Sequence, residues 1–208
     1  MINDGFGFYA ILSDPVAGYV RCAEAVIKSG VGFMQLRMKQ ATYREILDTA
    51  RRLCRMTGST GTKLIINDHP EIAAEAGADG VHLGQSDTPY SEARSILGEK
   101  SIIGISTHSL EQVDEACALK PDYIGIGPVY KTPTKEIPDP VLGLETMQEM
   151  LARASVPGVC IGGINTENLV DVLSAGARNF CMVRELCQSQ DPDAAISKIL
   201  KIYRSFSD

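Results

Sequence analysis

Gly125-Ile126-Gly127-Pro128-Val129-Tyr130-Lys131-Thr132-Pro133-Thr134-Lys135 joins an apolar run to a string of hydroxyl and ammonium groups. Residues 122–129 read as a buried strand, with glycines where one backbone must pass close to another group. The residues after this run are chemically different. Thr132 and Thr134 can donate hydroxyl hydrogen bonds, Lys135 brings positive charge with Lys131 beside it, and Pro133 narrows the choices open to the loop. The stretch predicts a strand whose C-terminal end faces an anion such as phosphate. Standing alone it reads more simply as an ordinary solvated loop, so the phosphate reading turns on whether the rest of the chain repeats the pattern.

The pattern recurs on both sides. Towards the C-terminus comes a helix over 145–154, then a run over 158–161 that ends in Gly162-Gly163-Ile164 and leads to a helix over 167–175. A run over 179–183 precedes a last helix over 192–205, with Asp191 as its N-cap. Towards the N-terminus, runs over 101–105, 80–83, 63–66, 32–38 and 6–12 are followed by helical patterns over 110–119, 89–97, 71–75, 43–56 and 17–29. Eight strand–helix pairs with nearly all-apolar strands predict a parallel sheet covered by helices, and eight is the number that closes as a (β/α)8 TIM barrel, here a single α/β domain over residues 1–208. An open doubly wound sheet is the alternative. The count, and the polar residues gathered just after the strands, favour the barrel.

Composition sets outer bounds. A 44% apolar share over 208 residues suffices for a substantial core. No run approaches the roughly 20 apolar residues that span a bilayer, and the first residues lack the basic and apolar regions of a signal peptide. The expectation is a cytoplasmic protein with no membrane partner. A net charge of −6 argues against nucleic acid, whose backbone calls for a basic face. Six scattered cysteines without a C-x-x-C pair fit buried, reduced thiols. Whether copies of the chain associate as a homo-oligomer is left open.

In a barrel, every strand end points at one mouth. Gln35, Arg37 and Lys39 alternate, so a period of two puts them on one face. Two cations and an amide suit a charged planar ligand, or equally a set of salt bridges on the rim. Asn67 and Asp68 end the third run, and Asp87 follows the fourth in Gly84-Gln85-Ser86-Asp87. Two carboxylates from neighbouring strand ends make a sparse oxygen site of the kind magnesium uses, with phosphate and water completing its shell. Helix capping is the plainer alternative for either. Ser106 adds a hydroxyl, and His108 either hydrogen-bonds there or caps the next helix. His69 and His82 are assigned ordinary structural roles. Gly162-Gly163 would expose backbone N–H groups to an anion, and Val183-Arg184 would add a donor and a charge, at positions where barrels commonly hold phosphate. Added together, these groups suit two small-molecule substrates, one with a diphosphate and one with a monophosphate.

Gln35-Leu36-Arg37-Met38-Lys39, Asn67-Asp68, the run from Gly77 to Asp87, Gly104-Ile105-Ser106-Thr107-His108, the run from Gly125 to Lys135 and Ile161-Gly162-Gly163-Ile164 stand in this order. On them the chain resembles the thiamine-phosphate synthase family over essentially its whole length. Thr132-Pro133-Thr134-Lys135 favours the synthases over their thiazole tautomerase relatives. The resemblance implies a TIM barrel that joins 4-amino-2-methyl-5-hydroxymethylpyrimidine diphosphate to 4-methyl-5-(2-phosphoethyl)thiazole and releases pyrophosphate. It implies that Asp68 and Asp87 hold Mg2+, that Arg37, Lys39, Asn67, Ser106 and Lys135 hold the diphosphate, and that Arg37, Lys39, Ser106 and Lys135 serve catalysis. Gln35 would meet the pyrimidine, and Thr132, Thr134, Gly163 and the Val183-Arg184 backbone would receive the thiazole phosphate. Arg184 stands where many members carry serine, and His69 where arginine is usual. A thiazole-phosphate isomerase and a non-catalytic phosphate-binding barrel are the competing readings. Residues 130–142, with three prolines, form a candidate lid.

Overall fold

In the computed structural model, which describes residues 5–132 and 140–207, strands and helices alternate along the chain. The first half comprises β1 (Phe8–Ser13), α1 (Tyr19–Lys28), β2 (Phe33–Arg37), α2 (Tyr43–Thr57), β3 (Lys63–Asn67), α3 (Pro70–Ala76), β4 (Gly80–Leu83) and α4 (Tyr90–Leu97). The second comprises β5 (Ile102–Thr107), α5 (Leu110–Ala118), β6 (Tyr123–Ile126), α6 (Gly143–Arg153), β7 (Gly158–Cys160), α7 (Leu169–Ser174), β8 (Asn179–Cys181), α8 (Val183–Cys187) and α9 (Pro192–Ser207). Every strand is parallel to its sequence neighbour, and β8 returns to pair with β1, with Phe8 opposite Phe180. The expected eight-stranded TIM barrel is thus closed, and no open sheet edge remains between β1 and β8.

Alternation along the strands sorts the apolar residues into two layers. Tyr9, Ile11, Phe33, Ile65, Tyr123, Val159 and Cys181 fill the barrel interior. Their strand neighbours, among them Leu12, Met34, Ile66, Ile124 and Phe180, belong to the larger core beneath the helices. α2 shows how a helix is held there. Thr42 and Glu45 form a reciprocal capping box at its start, and Ile46, Leu47, Ala50 and Leu53 make its buried face. Among the described residues no helix is long and apolar enough to cross a membrane.

Two strands end two or more residues short of the sequence pattern. The run over 122–129 is a strand only from Tyr123 to Ile126, since Pro128 lacks the N–H that a ladder needs. The run over 179–183 stops at Cys181, and Val183 instead opens the short helix α8. The apolar residues Met182 and Val183 look like strand continuation, but the chain turns here to pack over β1, where Cys187 Sγ donates to the Ile11 carbonyl at 3.3 Å.

Candidate active site

A cavity of about 770 Å³ begins among the inward side chains of the barrel and opens past the C-terminal ends of the strands. Gln35, Arg37, Asn67, Ser106, Thr132, Gly163, Val183 and Arg184 all line it, as does Lys131. The residues singled out at separate strand ends therefore share one space, of a size suited to small-molecule ligands. Gln35 is 2% exposed and its Nε2 donates to Tyr9 Oη at 3.0 Å. Arg37, at the end of β2, donates to Ser13 Oγ at 2.9 Å. Pro133, Thr134 and Lys135 lie outside the described residues, as does most of the candidate lid.

Lys39, Asp68 and Asp87 form a cluster set apart from the cavity lining. Asp68 is held one residue beyond β3 at φ 66°, a conformation that Asp tolerates better than most residues, and its backbone N–H donates to His82 O at 2.8 Å. Its carboxylate pairs with the Lys39 ammonium. Asp87 accepts from Gly84 N–H at 2.7 Å, and α4 has no side-chain cap, so the helix-capping alternative does not hold for it. Burial lifts the Asp87 carboxyl above its ordinary range, and the adjoining Asp68 carboxyl lifts it further, opposed by the Gly84 N–H and the Lys39 charge. Gln85 anchors the same loop by donating to the Ser106 carbonyl.

Glycines shape the opposite wall. Gly162 and Gly163 have φ of 98° and 65°, and a Cβ would fall 2.4 Å from Pro128 at the first and 2.7 Å from the Lys131 carbonyl at the second. Only glycine meets both conditions. Arg184, in the first turn of α8, is exposed on the same side. His108 turns its ring Nδ1 to the Gly127 carbonyl, while Ser109 caps α5 by accepting from Gln112 N–H. His69 pairs with Glu71 at the surface.

The sequence reading misses Tyr9, His82 and Tyr123. His82 has more than an ordinary strand role, for its Nδ1 lies 3.0 Å from Tyr123 Oη and its Nε2 2.9 Å from Ser106 Oγ. Tyr123 Oη lies in turn 3.0 Å from Tyr9 Oη. All three rings line the cavity. Two glycines make room for them: a Cβ at Gly104 would come within 2.1 Å of Tyr123 Cζ, and one at Gly125 within 3.3 Å of His82 Cε1. The signal that could reveal His82 is the phase of β4, where it is opposite Asn67 and so shares its inward face.

Known proteins share this architecture. Residues 8–186 match the family model described as thiamine monophosphate synthase. The chain is 41% identical over 187 residues to a thiamine-phosphate synthase of Caldicellulosiruptor saccharolyticus, which covers 90% of this chain and 85% of that one. It is 43% identical over 190 residues to one of Halalkalibacterium halodurans, covering 89% and 90%. Among solved structures, thiamine phosphate pyrophosphorylase from Pyrococcus furiosus superposes with a TM-score of 0.89 at 28% identity, covering 99% of this chain and 98% of that one.

Proposed function

The chain belongs to the thiamine monophosphate synthase family and is a transferase of thiamine biosynthesis; on that footing we propose that it joins an aminopyrimidinylmethyl diphosphate to a thiazole phosphate within the barrel mouth, by a dissociative displacement of pyrophosphate. The observation that carries this reading is one shared cavity: Gln35, Arg37, Asn67 and Ser106 line it from β2, β3 and β5, and Gly163, Val183 and Arg184 from beyond β7 and β8. Two ligands held by those two groups would meet in the shared space.

Arg37, Lys39, Asn67 and Ser106 are assigned to the diphosphate, joined by Lys135 from the sequence motif. Gln35 is assigned to the pyrimidine. Thr132, Thr134, Gly163 and the backbone of Val183 and Arg184 are assigned to the thiazole phosphate. The chain's part in the reaction is to bind, align and neutralise. Departure of pyrophosphate leaves positive charge on the exocyclic carbon, which the electron-rich aminopyrimidine can bear. The thiazole nitrogen attacks with a lone pair and has no proton to lose, so this bond-forming step asks for neither a protein nucleophile nor a general base. Holding both rings in register and excluding water supplies the rest.

The carboxyl pair supports a magnesium assignment. Asp68 and Asp87 crowd two acidic groups together with Lys39 as their neighbouring cation, and hard oxygen donors of this number suit Mg2+ that takes its other ligands from phosphate and water. Bound there, Mg2+ would neutralise charge on the leaving group. We place the reaction in the cytoplasm and in one barrel domain spanning the whole chain.

The test is product formation from the two substrates with and without Mg2+, monitored by liquid chromatography with mass detection. Magnesium-dependent thiamine phosphate and pyrophosphate are expected. No product from folded, magnesium-supplied protein would overturn the proposal.

A further inference from the structure

Five side chains on five different strands, β2, β1, β6, β4 and β5 in turn, form one continuous hydrogen-bonded chain through the barrel. It runs from Gln35 Nε2 to Tyr9 Oη (3.0 Å), to Tyr123 Oη (3.0 Å), to His82 Nδ1 (3.0 Å), and from His82 Nε2 to Ser106 Oγ (2.9 Å). Burial raises both tyrosine hydroxyls above their ordinary range, so each keeps one proton to donate. Such a chain has a direction. Gln35 donates at its head, and Tyr9 then has to pass its own proton to Tyr123. The opposite sense at that step would leave a buried O–H without an acceptor, which is costly. Tyr123 in turn donates to His82 Nδ1. That nitrogen must therefore be bare, and the ring is the Nε2–H tautomer that donates to Ser106. The Ser106 oxygen has accepted, and its own proton is free to point into the cavity.

The two ends face the cavity. Among the described residues the Gln35 side-chain carbonyl makes no hydrogen bond, and Gln35 and Ser106 both line the cavity. Resting on the assignment of Ser106 to the diphosphate, we propose that His82 is a positioning residue: it relays the orientation of the Gln35 amide to the Ser106 hydroxyl, so that an amino donor received at one end prepares a donor for the diphosphate at the other. Both ends of one substrate would then be read by the same set of hydrogen bonds. A ligand offering an acceptor instead of an amino group to Gln35 would favour the flipped amide, reverse every bond, and turn the Ser106 proton inward to His82.

Two measurements test this. In protein labelled with 15N-histidine, with the signals of His82 identified by their absence from His82→Gln, nitrogen shifts should show the neutral Nε2–H tautomer. An Nδ1–H tautomer would overturn the proposal, and this readout does not depend on what Ser106 binds. The second is a double-variant cycle. Tyr123→Phe keeps the packed ring but cuts the chain, and should weaken inhibition by pyrophosphate and lower kcat by about tenfold each. In a Ser106→Ala background the same change should have no further effect. Equal losses in both backgrounds would overturn the relay. If Ser106→Ala alone left turnover and pyrophosphate inhibition intact, the assignment of Ser106 to the diphosphate would fail and the relay with it, whatever the tautomer. His82→Gln, which keeps an N–H donor near Nε2, should recover part of the activity lost in His82→Leu, and no recovery would count against a role through that donor.

Discussion

Gly104→Ala should damage the barrel interior and the site together. The added Cβ would lie 2.1 Å from Tyr123 Cζ and 2.5 Å from each Cε, where ordinary contact begins at 3.4 Å. The ring must retreat by more than about 1 Å to relieve this. It has little freedom to do so, being 1% exposed and tied through its hydroxyl to Tyr9 and His82 at 3.0 Å each. Overpacking of this kind costs about 1–3 kcal/mol, and two disturbed hydrogen bonds add about 1 kcal/mol each. The expected loss is about 3–5 kcal/mol, which for a protein of this size is a fall in Tm of about 6–20 °C. Scanning calorimetry of the parent and the variant measures it. Adding Tyr123→Ala removes the ring, so in that background Gly104→Ala should cost less than about 1 kcal/mol. A Tm within about 2 °C of the parent, or the same cost in both backgrounds, would refute the reasoning.

The remaining predictions concern the metal cluster, the loop and the thiols. Asp68→Asn keeps a residue that tolerates positive φ while removing a charge, and should retain the melting temperature but lose about a hundredfold in magnesium-dependent turnover; undiminished activity would remove the metal assignment. Lys135→Ala should lower turnover without changing Tm, and an unchanged rate would make Lys135 a surface residue with no part in the reaction. Burial pushes the thiols of Cys54 and Cys187 up to about 11 and that of Cys160 to about 12. At pH 8, a disulfide reagent should therefore modify the half-buried Cys117 first and reach all six thiols only on unfolding; fast labelling of Cys160 in folded protein would contradict the packing described.

Much of the barrel is legible in the sequence because its cause is local. Apolar runs of strand length alternate with amphipathic helices eight times, and helix boundaries carry their own signals, such as the Thr42–Glu45 box or Gly77 after α3. The polar residues at the strand ends can be identified for the same reason: a residue just past a parallel strand has one mouth to face. Boundaries fail where local preference and tertiary packing diverge. Met182 and Val183 are good strand residues, and only the landing of α8 on β1 makes Val183 the start of a helix.

Periodicity alone therefore determined the class of fold, the direction in which the strands open and several of the polar side chains at their ends, Gln35, Arg37, Asn67 and Ser106 among them, since alternation and apolar runs act through near neighbours in the chain. Closure of the barrel decided which of those groups meet. Tyr9 and Tyr123 are 114 residues apart, Lys39 and Asp68 are 29 apart, and His82 and Ser106 are 24 apart. A period of two tells which face a side chain takes, but neither its depth nor its partner across the lumen. Those depend on the register of all eight strands at once, which is why a histidine that reads as strand filler stands between two tyrosines and the serine at the mouth.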